Sequence, residues 1–145
     1  MSATTPDVVL EMHVARSLLI DAYNAADLAL RGRMRAMRLT QNQLMSQNIE
    51  AIAKVPASPQ YSKMAKKRVD EQLQTLRKFQ RIRCDVIHSQ MEILDVENSP
   101  KAMFSNVQNQ ARLGRQGLLL TLADLRQCEA DLKAVAKEFS PTVFD

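Results

Sequence analysis

Five prolines cut the chain into a few long uninterrupted stretches, and their placement constrains the fold more than any other feature. Pro6 follows Thr5, which reads as a helix cap with proline at the first helical position, where its missing N–H costs nothing. Val55-Pro56-Ala57-Ser58-Pro59 is a stop, Asn98-Ser99-Pro100 reads as a second cap-and-proline start, and Ser140-Pro141 ends the last stretch. Three segments remain, approximately 6–54, 62–97 and 100–138, with a short tail over 139–145. As continuous helices they would be about 73, 54 and 58 Å long. Only 3 glycines in 145 residues, and 4% aromatic content, argue against a β-sandwich or barrel. No glycine-rich turn is present to cradle a phosphate, so a Rossmann-like enzyme is not expected.

Apolar spacing within the segments supports helices. In the first, Val8, Met12, Ala15, Leu19, Ala22, Ala26, Leu30, Met34 and Met37 step by three or four residues. In the second, Val69, Leu73, Leu76, Phe79, Ile82 and Val86 continue in the same steps to Met91 and Leu94. The third runs from Met103 through Val107, Gly114, Leu118, Leu125 and Leu132 to Phe139. Such stripes predict an all-α fold: one domain over 1–145, an elongated bundle or hairpin of three long helices with coiled-coil-like packing. The first segment is also apolar beside its main stripe, at Val9, Leu10, Val14 and Leu18, more than a small three-helix bundle can cover. That surplus reads either as a thick core or as a surface for another protein chain. Val143 and Phe144, at an otherwise polar end, are expected to form a second docking point.

Charge is segregated. The net charge of +4 combines four acids and one base in residues 1–27, a local +10 over 28–83 and −3 over 84–111. Arg31, Arg35 and Arg38 share one helical face, and Lys63, Lys66, Lys67 and Arg68 open the second segment. Glu50 is the one acid between residues 28 and 69, so few i,i+4 ion pairs can hold these bases. A basic surface results that suits anionic headgroups or an acidic protein, or is simply solvated. Nucleic acid is not the expected partner, because no aromatic platform, zinc module or helix-turn-helix accompanies the charge.

Chemistry is sparse. Cys84, His88 and Glu92 share a helical face but make half a zinc site at best, and His13 and Cys128 are isolated. No cofactor, metal or catalytic activity is expected. Ser58, Ser99 and Ser140 each precede proline and read as caps, or as acceptors for a proline-directed kinase. Two cysteines make no disulfide framework and fit a reducing compartment, the cytoplasm first. Asp7 and Glu11 precede the first arginine, unlike a signal or transit peptide. The longest apolar runs, such as Leu18-Leu19-Ile20 and Leu118-Leu119-Leu120, are too short to span a bilayer.

The stretch from Lys66-Lys67-Arg68-Val69-Asp70-Glu71-Gln72-Leu73 to Lys101-Ala102-Met103 resembles the second helix of the ESCRT-III (charged multivesicular body protein) family over about 40 residues. In that family a basic helix start leads to a long polar helix, an Asn-containing segment and a Lys-x-Met-like element, comparable to Asn98, Lys101 and Met103 here. The resemblance implies a two-helix hairpin that polymerises side by side and binds anionic membrane, with Arg31, Arg35, Arg38, Lys66, Lys67 and Arg68 facing the lipid. The leading expectation is a non-enzymatic helical scaffold subunit that joins a larger assembly through apolar helix faces; the membrane filament is the alternative.

Overall fold

A computed structural model of the chain describes residues 5–105 and 118–140. In order, it contains α1 (Pro6–Ala36), α2 (Met45–Ala53), α3 (Lys63–His88), β1 (Gln90–Val96), β2 (Ser99–Ser105), β3 (Leu118–Leu120) and α4 (Leu122–Phe139). The chain is therefore α+β, not an all-α bundle of three helices. Its described parts belong to two compact units, Met1–Asp21 with Gln80–Glu129 and Ala22–Phe79 with Ala130–Asp145.

Local chemistry explains where the helices start. Thr5 caps α1, its Oγ1 accepting from the Val8 N–H at 3.3 Å, with Pro6 next in line. Ser62 caps α3 by accepting from the Ala65 N–H at 3.0 Å. At α4 the cap is reciprocal: the Thr121 N–H donates to Asp124 Oδ2 at 2.9 Å, and the Asp124 N–H donates to Thr121 Oγ1 at 3.0 Å.

The first expected helix, 6–54, is broken in two. Arg38 adopts φ 59°, and the Arg38 N–H donates to Arg35 O while the Leu39 N–H donates to Met34 O. This is a Schellman ending with arginine in the left-handed position that glycine usually takes. The polar run after it is clasped by Asn48, buried in α2: its Oδ1 accepts from the Asn42 N–H at 2.8 Å, and its Nδ2 donates to Asn42 O at 3.1 Å.

The second and third expected helices are corrected more deeply. α3 ends at His88, and β1 and β2 form an antiparallel hairpin in which Val96 faces Ser99 across a two-residue turn. Glu97 and Asn98 have φ 54° and 64°, the type I′ geometry whose twist matches that of paired strands. Asn98-Ser99-Pro100 is thus a chain reversal, not a helix start. Met91 and Ile93 share a sheet face with Ala102 and Phe104, while Glu92, Leu94 and Met103 face the other way. β3 extends the sheet, pairing Ala102 with Leu120 and Phe104 with Leu118. Helix-period steps at Met91 and Leu94 were a coincidence of a short apolar run, which periodicity alone does not resolve.

In the first unit the buried apolar residues are Met12, Ala15 and Leu19 of α1, Val86 of α3, Met91, Ala102 and Phe104 of the sheet, and Leu125 of α4. In the second, Ala26, Leu30 and Met34 are buried with Ile49, Ile52, Leu73, Leu76, Leu132, Val135 and Phe139, and the Tyr23 and Phe79 rings lie 5.3 Å apart. The main stripe of α1 is thus covered from within the chain.

Helix ends in both units are closed by cations from elsewhere in the fold. Within the first unit, Arg16 Nε donates to Val86 O at 2.9 Å and Nη2 to Ser89 O at 2.6 Å, with the guanidinium 5.5 Å from the Phe104 ring centre. In the second, Arg33 Nη2 donates to Glu138 O at 2.8 Å, 5.8 Å from the Phe139 ring, and Lys66 Nζ donates to Ala53 O at 3.1 Å. These carbonyls are the ones a helix leaves unpaired, at the negative end of its dipole. Burial lowers the Arg16 guanidinium pKa below its ordinary value, a desolvation cost that the two carbonyl bonds offset.

Two outcomes test this architecture. Replacing Glu97-Asn98 by Asn-Gly should raise unfolding stability by about 0.5–1 kcal/mol in a denaturant titration, because Gly and Asn tolerate positive φ. In a helix the same Gly would lower stability by about 1 kcal/mol, so the sign decides. Arg16→Met should cost about 2 kcal/mol by leaving the α3 carbonyls unpaired, and Arg16→Lys less.

Candidate protein-docking groove

Within the first unit, α1 carries an apolar row that its own chain leaves open. Leu10, Val14 and Leu18 are 63%, 49% and 44% exposed, while Met12, Ala15 and Leu19, on the adjacent arc, are at most 4% exposed. Steps of four keep the exposed three on one side of the helix. A groove of about 230 Å³ lies along this row, lined by Leu10, Val14, Ala15 and Leu18 of α1 and by Arg126 and Glu129 of α4. Glu11 completes its rim, and Arg126 Nη2 meets Glu11 Oε2 at 3.4 Å. The Thr121–Asp124 cap starts α4, and Arg126 and Glu129 follow in its next turns. The site has apolar walls and a charged rim, the layout of a protein contact. Complete covering of the three half-exposed side chains is worth on the order of 1 kcal/mol each.

Of the residues singled out from sequence for docking, Leu10, Val14 and Leu18 line this groove; Val9 is half-buried and does not. Val143 and Phe144 lie outside the described residues. Glu11, Ala15, Arg126 and Glu129 were missed. Ala15 belonged to the main stripe, and no local pattern pairs residue 11 with residue 126.

The basic residues, all in the second unit, divide into two sets. Arg31 pairs with Asp27 at 3.2 Å and donates to Gln43 O, Lys66 pairs with Asp70 at 3.4 Å, and Arg68 meets Glu138 at 3.5 Å. Glu50, the isolated acid of the sequence, pairs with Arg77 at 2.8 Å. Asp27 and Asp70, at the two edges of the acid-poor stretch, form i,i+4 pairs, and Glu138 and Glu50 pair with bases distant in sequence. Arg35, Arg38, Lys63 and Lys67 are exposed and have no ion pair among the described residues. Lys63, Lys66 and Lys67 do border an open groove, but Asp70 and Glu71 border it too, so it has no single sign of charge.

Cys84 is half-buried, and His88 and Glu92 are exposed. Among the described residues no three His, Cys, Asp or Glu side chains are grouped to hold a metal. Neither cysteine is in a disulfide. Among the described residues, no helix is long and apolar enough to cross a membrane.

No protein-family model matches the chain, and no curated protein and no solved structure matches it.

The open row should tolerate polar change where the buried arc does not. Val14→Asp should shift the chain's unfolding free energy by less than about 0.5 kcal/mol, whereas Leu19→Ala should cost about 3 kcal/mol, both read by chemical denaturation.

Proposed function

We propose that the protein is a non-catalytic scaffold subunit that docks onto another chain of a larger assembly through the α1–α4 groove. The exposed Leu10, Val14 and Leu18 carry this reading, because they stand in one row along a groove, whereas Leu28, also exposed on α1, is not part of its lining. A row of three aliphatic side chains cannot by itself give a stable complex; it serves as the anchor of an interface that typically buries about 800 Å² per partner. The half-buried thiols of Cys84 and Cys128 fit a reducing compartment such as the cytoplasm.

A second reading rests on Arg35, Arg38, Lys63 and Lys67, exposed cations free of ion pairs among the described residues. It is the filament on anionic membrane that the ESCRT-III resemblance implies, and it predicts salt-sensitive sedimentation with phosphatidylserine vesicles but not neutral ones.

Size-exclusion chromatography of extracts at native expression tests the scaffold reading. The wild-type chain should elute well above its 16.4 kDa mass, and Val14→Asp should return it to the monomer position with its melting midpoint unchanged. A wild-type chain that elutes as a monomer overturns the proposal.

A further inference from the structure

The groove's surroundings define its occupant, if the docking reading above is taken as the starting point. Residues 7, 10, 11, 14, 18 and 21 follow one another in steps of one, three or four, so Asp7, Glu11 and Asp21 lie on the same side of α1 as the apolar row. All three carboxylates are exposed. The one base in this part of α1, Arg16, is turned to the end of α3 and bonded there. From α4 the rim receives Glu129 and Arg126. A chain with a net charge of +4 therefore presents, around its open apolar row, four carboxylates and a single guanidinium that already meets Glu11.

From this juxtaposition we infer that the groove receives an amphipathic helix of another protein, with an apolar ridge flanked by lysine or arginine. The exposed row from Leu10 to Leu18 extends about 12 Å along α1, slightly more than two helical turns. A helix with apolar residues at i, i+3, i+4 and i+7 offers a ridge of matching length. Basic flanks place cations opposite Asp7 and Asp21, which raises the association rate and sets orientation more than it raises affinity. A second copy of this chain in a two-fold arrangement is disfavoured, because it sets the same carboxylates against one another.

Two synthetic helices test the inference, both with leucine at i, i+3, i+4 and i+7, one with lysine flanks and one with glutamate flanks. Each is titrated with the full chain by fluorescence anisotropy. The lysine peptide should bind at least about tenfold more tightly than the glutamate peptide and weaken as salt rises. The double substitution Asp7→Lys with Asp21→Lys should weaken it by about tenfold or more, and Val14→Asp should abolish binding with the melting midpoint unchanged. Equal binding of both peptides, lost in Val14→Asp, overturns the basic flanks but leaves the groove as a docking site. Lysine-peptide binding that survives Val14→Asp places the peptide elsewhere and overturns the inference. Binding of neither peptide, while the large species in extracts persists and dissolves on Val14→Asp, likewise overturns the inference alone. A wild-type chain that elutes as a monomer from those extracts, or a large species that persists in Val14→Asp, overturns the docking reading itself.

Discussion

The carbonyls at the C-terminal ends of helices need partners, and in three of the four described helices they find them in cations carried by other segments. Arg16 closes α3 in the first unit; Arg33 closes α4 and Lys66 closes α2 in the second. Arg16 and Arg33 also lie over a phenylalanine, Phe104 and Phe139 respectively, each belonging to the same unit as its arginine. The arrangement joins three favourable terms: hydrogen bonds to a charged donor, attraction to the dipole end, and a cation against a ring face. A basic residue used in this way is part of the internal framework rather than a feature for a partner.

That distinction reorganises the charge of the chain. Read along the sequence, residues 28–83 are a block of positive charge. Folded, much of it is answered within the second unit: Arg31 by Asp27, Lys66 by Asp70 and Ala53 O, Arg68 by Glu138 and Arg77 by Glu50. The acidic first part of α1 has the opposite fate. Its base is withdrawn to the α3 end, and its carboxylates are left outward beside Leu10, Val14 and Leu18. Around one helix, then, lie three sectors: a buried arc for packing, an arginine that closes a neighbour, and an exposed apolar and acidic side.

How much was legible beforehand varies by element. Thr5-Pro6 was readable as chemistry because a cap is a local event, and the Ser62 cap, equally local, was not singled out. The buried arc of α1 was readable from steps of three and four, and so was its apolar surplus at Leu10, Val14 and Leu18. The break at Arg38 was not, because an arginine occupies the left-handed position where a glycine would have marked it. The hairpin was hidden for the same reason: Glu97 is an unusual residue for a type I′ turn, and Pro100 beside Asn98 imitates a helix start. Half of the groove was equally hidden, since Arg126 and Glu129 join it from a helix more than a hundred positions away.

By itself the sequence determined what near neighbours decide: the starts of α1 and α3, the face α1 buries, the presence of unused apolar side chains, and the uneven distribution of charge. Tertiary structure decided what depends on distant partners, namely which arginines become caps, which ion pairs form, where α3 stops and the strands begin, and which aliphatic row stays open. The reason is physical. Capping and periodicity act over one to four residues, whereas burial and long-range pairing are set only when segments far apart in the chain come together.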